Sequence, residues 1–172
     1  IANAVGMAIA ERWMATRFNR EGHAVVDHRT WAFAGDGCLM EGISYEAASL
    51  AGHLGLEKLV VLWDDNRITI EGGTDLAWSE DVPKRFEAAG WRVLHAEGED
   101  LDSLRRAFEK AQKPCGKPTL IACRTIIGWP APTKQNTGAI HGAAMGADEI
   151  YATKRILGVP DEPFAVEDEV IE

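Results

Sequence analysis

The sequence has few cysteines, no excess of positive charge and no long apolar run, and each shortage narrows what the chain can be. The three cysteines, Cys38, Cys115 and Cys123, are odd in number and show no metal-ligand spacing, which fits a reducing cytoplasm. Lysine and arginine number 18 against 27 aspartates and glutamates, a net charge of −9, so there is no basic face for nucleic acid. A phosphate ligand stays open, because a metal ion or a helix N-terminus can supply the local positive charge. The apolar runs are too short to span a bilayer. No basic segment precedes the apolar first residues, as a signal peptide would require. No internal repeat is found. The first residue is Ile, inside a helical pattern, which predicts a fragment of a longer protein.

What is present is a 172-residue chain that is 46% hydrophobic, enough for one α/β domain with a core. Its organising stretch is Gly35-Asp36-Gly37, answered by Asn66 in Asp64-Asp65-Asn66. Thr30 to Ala34 and Lys58 to Trp63 read as apolar strands, and the segment between them as an amphipathic helix. In such a βαβ unit a carboxylate and an amide oxygen stand at the C-terminal ends of two parallel strands, where open α/β sheets bind ligands. Both are hard oxygen donors. Glycines at 35 and 37 clear space for an anion to approach backbone N–H groups. Mg²⁺ takes one or two carboxylates from protein and fills its shell with phosphate oxygens and water. The pattern therefore reads as a magnesium diphosphate clamp. Gly-Asp-Gly by itself usually marks a turn; the βαβ context and Asn66 bring the two readings level.

Along the chain, Ile1 to Arg20 forms a helical pattern with Val5, Ile9 and Trp13 four apart and Met7, Met14 and Phe18 filling other sides. This predicts burial on most sides, in a core or a subunit interface. His23 and His28 read as surface residues. The helix predicted over 42–54 places Ile43, Ala47, Leu50 and Leu54 on one face, with Gly52 fraying its end. Val82 to Ala89 reads as a short helix and Trp91 to His95 as a strand. Leu101 to Lys113 reads as a helix with Leu101, Leu104, Phe108 and Ala111 inward, and Pro118 to Cys123 as a strand. The alternation predicts an α/β fold, a mostly parallel sheet with helices on both faces. Thr133 to Gly146 has no clear period, as a functional or disordered loop would. Gly146 to Leu157 suggests a last helix. The expected organisation is one domain over 1–164 and an acidic tail, the start of an interdomain connection, over 165–172.

Gly35-Asp36-Gly37-Cys38-Leu39-Met40-Glu41-Gly42-Ile43-Ser44 and Asp64-Asp65-Asn66-Arg67-Ile68-Thr69-Ile70-Glu71-Gly72 closely resemble the thiamine diphosphate motif of transketolases. The likeness runs from Ile1 to about Phe164. It takes in Ser49 to Leu54, Arg85 to Trp91, Lys117 to Ile121 and Ile140-His141-Gly142-Ala143. The resemblance implies thiamine diphosphate and Mg²⁺ as cofactors, with Ca²⁺ or Mn²⁺ as substitutes. It implies metal ligation by Asp36, Asn66 and the backbone carbonyl of Ile68. It also implies cofactor contacts from Gly35, Gly37, Ile70 and His141, with His141 touching substrate as well. Glu41 would join a carboxylate network linking two cofactor sites across a homodimer; the plain alternative is an acid beside a helix N-terminus. For Ile70 the alternative is core packing, and for His141 an exposed loop position.

The implied activity is reversible transfer of a two-carbon ketol unit from a ketose phosphate to an aldose phosphate, in the pentose phosphate pathway. This chain would supply the diphosphate-binding half of the cofactor site and, by itself, would be inactive. Dihydroxyacetone synthase, deoxyxylulose phosphate synthase and the 2-oxoacid dehydrogenase components share the metal clamp and are the alternatives. Another alternative is a binding module without activity.

Overall fold

The structure, a computed structural model, describes residues 1–171. In chain order the elements are α1 (Ala2–Phe18), β1 (Thr30–Gly35), α2 (Asp36–Met40), α3 (Gly42–Leu54), β2 (Leu59–Asp65), β3 (Ile68–Thr69), β4 (Gly72–Gly73), α4 (Val82–Ala88), β5 (Arg92–Glu97), α5 (Leu101–Gln112), β6 (Thr119–Arg124), α6 (Ala147–Leu157) and α7 (Asp168–Ile171). They form two compact units. The first is Ile1–Arg67 with Thr74–Thr125; the second is Ile68–Gly73 with the chain from Ile126 onward. No helix among the described residues is long and apolar enough to cross a membrane.

The first unit is built on a four-stranded, wholly parallel sheet in the order β1-β2-β6-β5. Side chains alternate between the two faces of a strand, and the core divides accordingly. Ala34, Leu59, Val61, Trp63, Leu120 and Ala122 meet α1, α2, α3 and α4 on one face. Val60, Leu94, Ala96, Ile121 and Cys123 meet α5 on the other. Strands covered on both sides must be apolar at successive positions. Leu59-Val60-Val61 and Leu120-Ile121 are so, and all five are completely buried. The fold class expected from the sequence is the one observed, helices on both faces included.

Within the single chain, the buried stripes of the helices are made mostly of small residues. In α1 the buried residues are Ala4, Val5, Ala8 and Glu11, while Met7, Ile9, Trp13 and Phe18 are exposed. In α3 they are Ser44, Ala47, Ala48 and Ala51, while Ile43, Leu50 and Leu54 are exposed. A helix that lies close on its neighbours turns its small residues inward, so alanine marks the buried stripe and the large side chains face out. In α5, Ala107 and Ala111 are buried and Leu104 and Phe108 half-buried, but Leu101 is exposed. Gly52 does not fray α3, which continues to Leu54 and closes on Gly55 in the left-handed conformation, φ 59°. Such a glycine cap is the ordinary way to end a helix.

The second unit contains the antiparallel β3–β4 pair, with Ile68 opposite Gly73 and Thr69 opposite Gly72. Its long loop is pinned by α6. The buried Glu149 carboxylate accepts from the Thr133 N–H at 2.8 Å, the Thr133 hydroxyl at 2.8 Å and the Lys134 N–H at 3.0 Å. Lys134 Nζ donates in turn to the Met145 carbonyl at 2.6 Å. The backbone donors of Thr133, against some opposition from burial, hold the Glu149 carboxyl below its ordinary value of 4.5. A depressed folded value stabilises the folded state above pH 4.5 and loses that contribution as pH falls through the folded value. The protection factors of the Thr133 and Lys134 amides, exchange rates referred to the intrinsic rate at each pH, should therefore fall on acidification below the ordinary value. With Glu149→Ala protection should be low and insensitive to pH over that window; unchanged protection in that variant would contradict the pinning role.

Candidate functional site

Asp36 opens α2 directly after β1 and is only 5% exposed. Gly35, the last residue of β1, pairs with Asp64 of β2. Asp36 therefore stands one residue past this rung of the ladder and Asn66 two, at the C-terminal ends of neighbouring parallel strands. The tripeptide is not a free turn: its Asp begins a short helix. One carboxylate oxygen, Oδ1, accepts from the Trp63 indole Nε1 at 2.8 Å. The other, Oδ2, is buried with no hydrogen-bond partner. Burial raises the Asp36 carboxyl above its ordinary value; the Trp63 indole and the Arg67 N–H oppose the rise, and the neighbouring Asp65 and Asp64 add to it. A buried carboxylate oxygen without a donor is costly. A cation meets that need directly, so the donor set fits a hard metal ion.

Asn66 is half-buried, and its Nδ2 donates to Asp64 Oδ2 at 3.1 Å. Arg67, which follows, is a non-glycine residue in the left-handed region, φ 60°. This is a strained conformation of the kind that gathers at functional sites. Beyond their own chain neighbours and the adjoining helix backbone, nothing lies within 4 Å of where a Cβ on Gly35 or Gly37 would sit. Neither glycine is required by packing, which leaves the space in front of them open. A cleft of about 580 Å³ lies at the C-terminal ends of β2, β6 and β5, lined among others by Asp36, Trp63, Trp78, His95 and Arg124.

Glu41 is exposed at the N-cap of α3 and makes no side-chain cap hydrogen bond there. Ile68, Ile70 and His141 belong to the second unit. Ile70 is 71% exposed, so it is not a core residue of this unit. His141 is exposed, and its N–H donates to the Gly138 carbonyl at 3.0 Å. Gly138 lies against the β3–β4 turn: a Cβ there would be 3.2 Å from the Ile70 carbonyl oxygen. The unit thus draws the His141 loop and the Ile70 turn together. Among the described residues no three His, Cys, Asp or Glu side chains gather as a metal cage.

Residues 1–172 match the family model described as transketolase, thiamine diphosphate binding domain. The chain belongs to the transketolase family. A transketolase from Nostoc sp. is 51% identical over 99% of this chain, and transketolase 2 of Aliivibrio fischeri is 55% identical over 99%. The chain spans about a quarter, 26%, of the length of each of these curated transketolases. Transketolase from Leishmania mexicana superposes with a TM-score of 0.95 at 44% identity, over 98% of this chain and 26% of that one. Transketolase from Pichia stipitis, in complex with sedoheptulose-7-phosphate, superposes with a TM-score of 0.93 at 42% identity, over 98% of this chain and 25% of that one. Asp36 and Asn66 were legible in the sequence as a candidate site. Sequence reasoning missed its supports. Trp63 was legible only as a strand residue, and Thr125, whose hydroxyl donates to Asp64 Oδ1, carried no signal of its own.

Proposed function

We propose that this chain provides the Mg²⁺-diphosphate half of a thiamine diphosphate site in a transketolase that moves a two-carbon ketol unit between sugar phosphates. The observation that carries the reading is the buried Asp36 carboxylate, with one oxygen held by Trp63 and the other unpartnered. Asp36 and the Asn66 amide oxygen hold the metal, Ca²⁺ or Mn²⁺ serving in place of Mg²⁺. One carboxylate is what Mg²⁺ commonly takes from protein when a phosphate completes its shell. Gly35 and Gly37 let the diphosphate approach the backbone. The resemblance adds the Ile68 carbonyl as a ligand, Ile70 along the cofactor, and His141 at diphosphate and substrate. When bound, thiamine diphosphate supplies the carbon–carbon bond-breaking chemistry; the residues of this chain bind and orient it.

A homodimer is supported by the apolar residues that α1 and α3 leave uncovered, Met7, Trp13, Ile43 and Leu50. Glu41 joins the network between its two sites. Three free cysteines support a reducing cytoplasm. The chain spans about a quarter of its relatives' length, which supports assigning turnover to the longer protein and cofactor binding to this chain.

The test is calorimetric titration of thiamine diphosphate into the full-length protein, with and without Mg²⁺, beside the Asp36→Ala, Asn66→Ala double variant. Binding that needs Mg²⁺ and disappears in the variant is expected. Equal binding by the variant would end the reading.

A further inference from the structure

The Asn66 carboxamide does not stand alone. Its Nδ2 donates to Asp64 Oδ2 at 3.1 Å. The other oxygen of Asp64 accepts from the Thr125 hydroxyl. Asp64 sits in β2, paired with Gly35 of β1 on one side and with Cys123 of β6 on the other. Thr125 lies one residue beyond β6, and its N–H donates to the Asp65 carbonyl at 3.4 Å. The carboxylate is therefore fixed from two strands, and the amide is fixed on the carboxylate.

An ionised carboxylate accepts hydrogen bonds only, whereas a carboxamide has a donor end and an acceptor end. Only the NH₂ end of Asn66 can face Asp64. We propose that Asp64, braced by Thr125, is a positioning residue that locks the flip of the Asn66 carboxamide, so that its carbonyl oxygen is the end offered to the metal. This rests on Asn66 being a metal ligand, as proposed above. Mg²⁺ demands oxygen ligands in near-ideal octahedral geometry. A side-chain amide with no such partner presents nitrogen or oxygen by rotating half a turn, and the nitrogen end repels the ion. Partners of metal ligands act in this way, and losing one typically costs 10–100-fold in metal affinity.

The experiment uses the full-length protein with saturating thiamine diphosphate and Mg²⁺ as the titrant, followed by calorimetry. The variants are Asp64→Ala, Asp64→Asn, Thr125→Val and Asn66→Ala. Asp64→Ala should weaken Mg²⁺ about 10–100-fold. Asp64→Asn should restore most of this, because its amide oxygen still accepts from Asn66 Nδ2 although the charge is gone. Thr125→Val should show a smaller loss in the same direction, and it carries the test should Asp64→Ala not fold.

If Asn66→Ala loses Mg²⁺ binding while Asp64→Ala and Thr125→Val keep it, the positioning role is overturned and the ligand assignment stands. If Asp64→Asn is as weak as Asp64→Ala, the charge of Asp64 is responsible and orientation is not. If Asn66→Ala itself binds Mg²⁺ like the unaltered protein, the ligand assignment fails and takes this proposal with it.

Discussion

Asp36→Asn is expected to weaken Mg²⁺-dependent thiamine diphosphate binding by at least the roughly 10–100-fold that losing a ligand's partner costs and, in the metal-free protein, to make the thermal midpoint gain on that of the natural protein as pH rises. The two effects share one cause. Asp36 is 5% exposed, and one of its oxygens has no partner. Its carboxyl is raised by burial, with Asp65 and Asp64 adding repulsion against the Trp63 bond. A carboxyl whose folded value lies above the unfolded one stabilises the fold only while protonated. That contribution is complete below the ordinary value of 3.8 and is lost as pH rises through the folded value.

As pH rises through the folded value Asp36 ionises at a cost to the metal-free protein, and the neutral amide removes that pH-dependent loss. The Asn oxygen still accepts from the Trp63 indole. Its NH₂ is left buried without an acceptor, at a cost of about 1–3 kcal/mol that is the same at every pH. The variant's midpoint relative to the natural protein should be lowest below the ordinary carboxylate value and should rise with pH through the folded value. Differential scanning calorimetry at two pH values, beside the binding titration, measures both. A variant that binds metal and cofactor as tightly as the unaltered protein would remove Asp36 from the site.

Gly52→Ala should unfold the domain or cost it more than about 3 kcal/mol, a loss of overpacking and cavity scale. A Cβ at Gly52 would sit 1.7 Å from the Ala89 carbonyl oxygen and 2.8 Å from the Ala89 carbonyl carbon, both backbone. The turn it strikes cannot recede. Trp91, two residues on, is 2% exposed, meets Phe86 edge-on with ring centroids 5.0 Å apart, and donates from its indole to the Ala48 carbonyl at 2.8 Å. Moving Ala89 away breaks that bond and opens the seat of two large rings. Gly6→Ala in α1 is the control: nothing lies within 4 Å of its added Cβ, and alanine in a helix interior gains roughly 0.5–1 kcal/mol over glycine. Urea midpoints of opposite sign for the two variants are expected. A Gly52→Ala protein as stable as its parent would mean that α3 and the Ala89 turn are not in this contact.

The sheet was legible because strands buried on both faces are written as unbroken apolar runs, and because strand and helix alternate along the chain. The limits of α3 were legible as well, Gly42 to Leu54 in sequence and structure alike. Its buried face was not. Periodicity weighs large apolar residues, and here the close-packed stripe is made of Ser44, Ala47, Ala48 and Ala51. Gly52 looked like a weak point in a helix because its contact, Ala89, lies in a turn 37 positions away in sequence. Asp36 and Asn66 were legible from residue type, glycine neighbours and strand context. Trp63 and Thr125 were not, because their contacts with Asp36 and Asp64 span 27 and 61 residues and exist only once β1, β2 and β6 lie side by side.

The hydrogen bond from Trp63 to Asp36 also makes the site its own optical probe. An indole whose N–H is shared with an ionised carboxylate changes its emission when that carboxylate is neutralised by a cation or a proton. Trp63 is one of six tryptophans, and Trp78 lies edge-on to it at 6.4 Å, so the signal is a difference between the natural protein and Trp63→Phe. On the metal site proposed above, stopped-flow fluorescence would then follow the arrival of the ion at Asp36 in real time, with no label and no turnover.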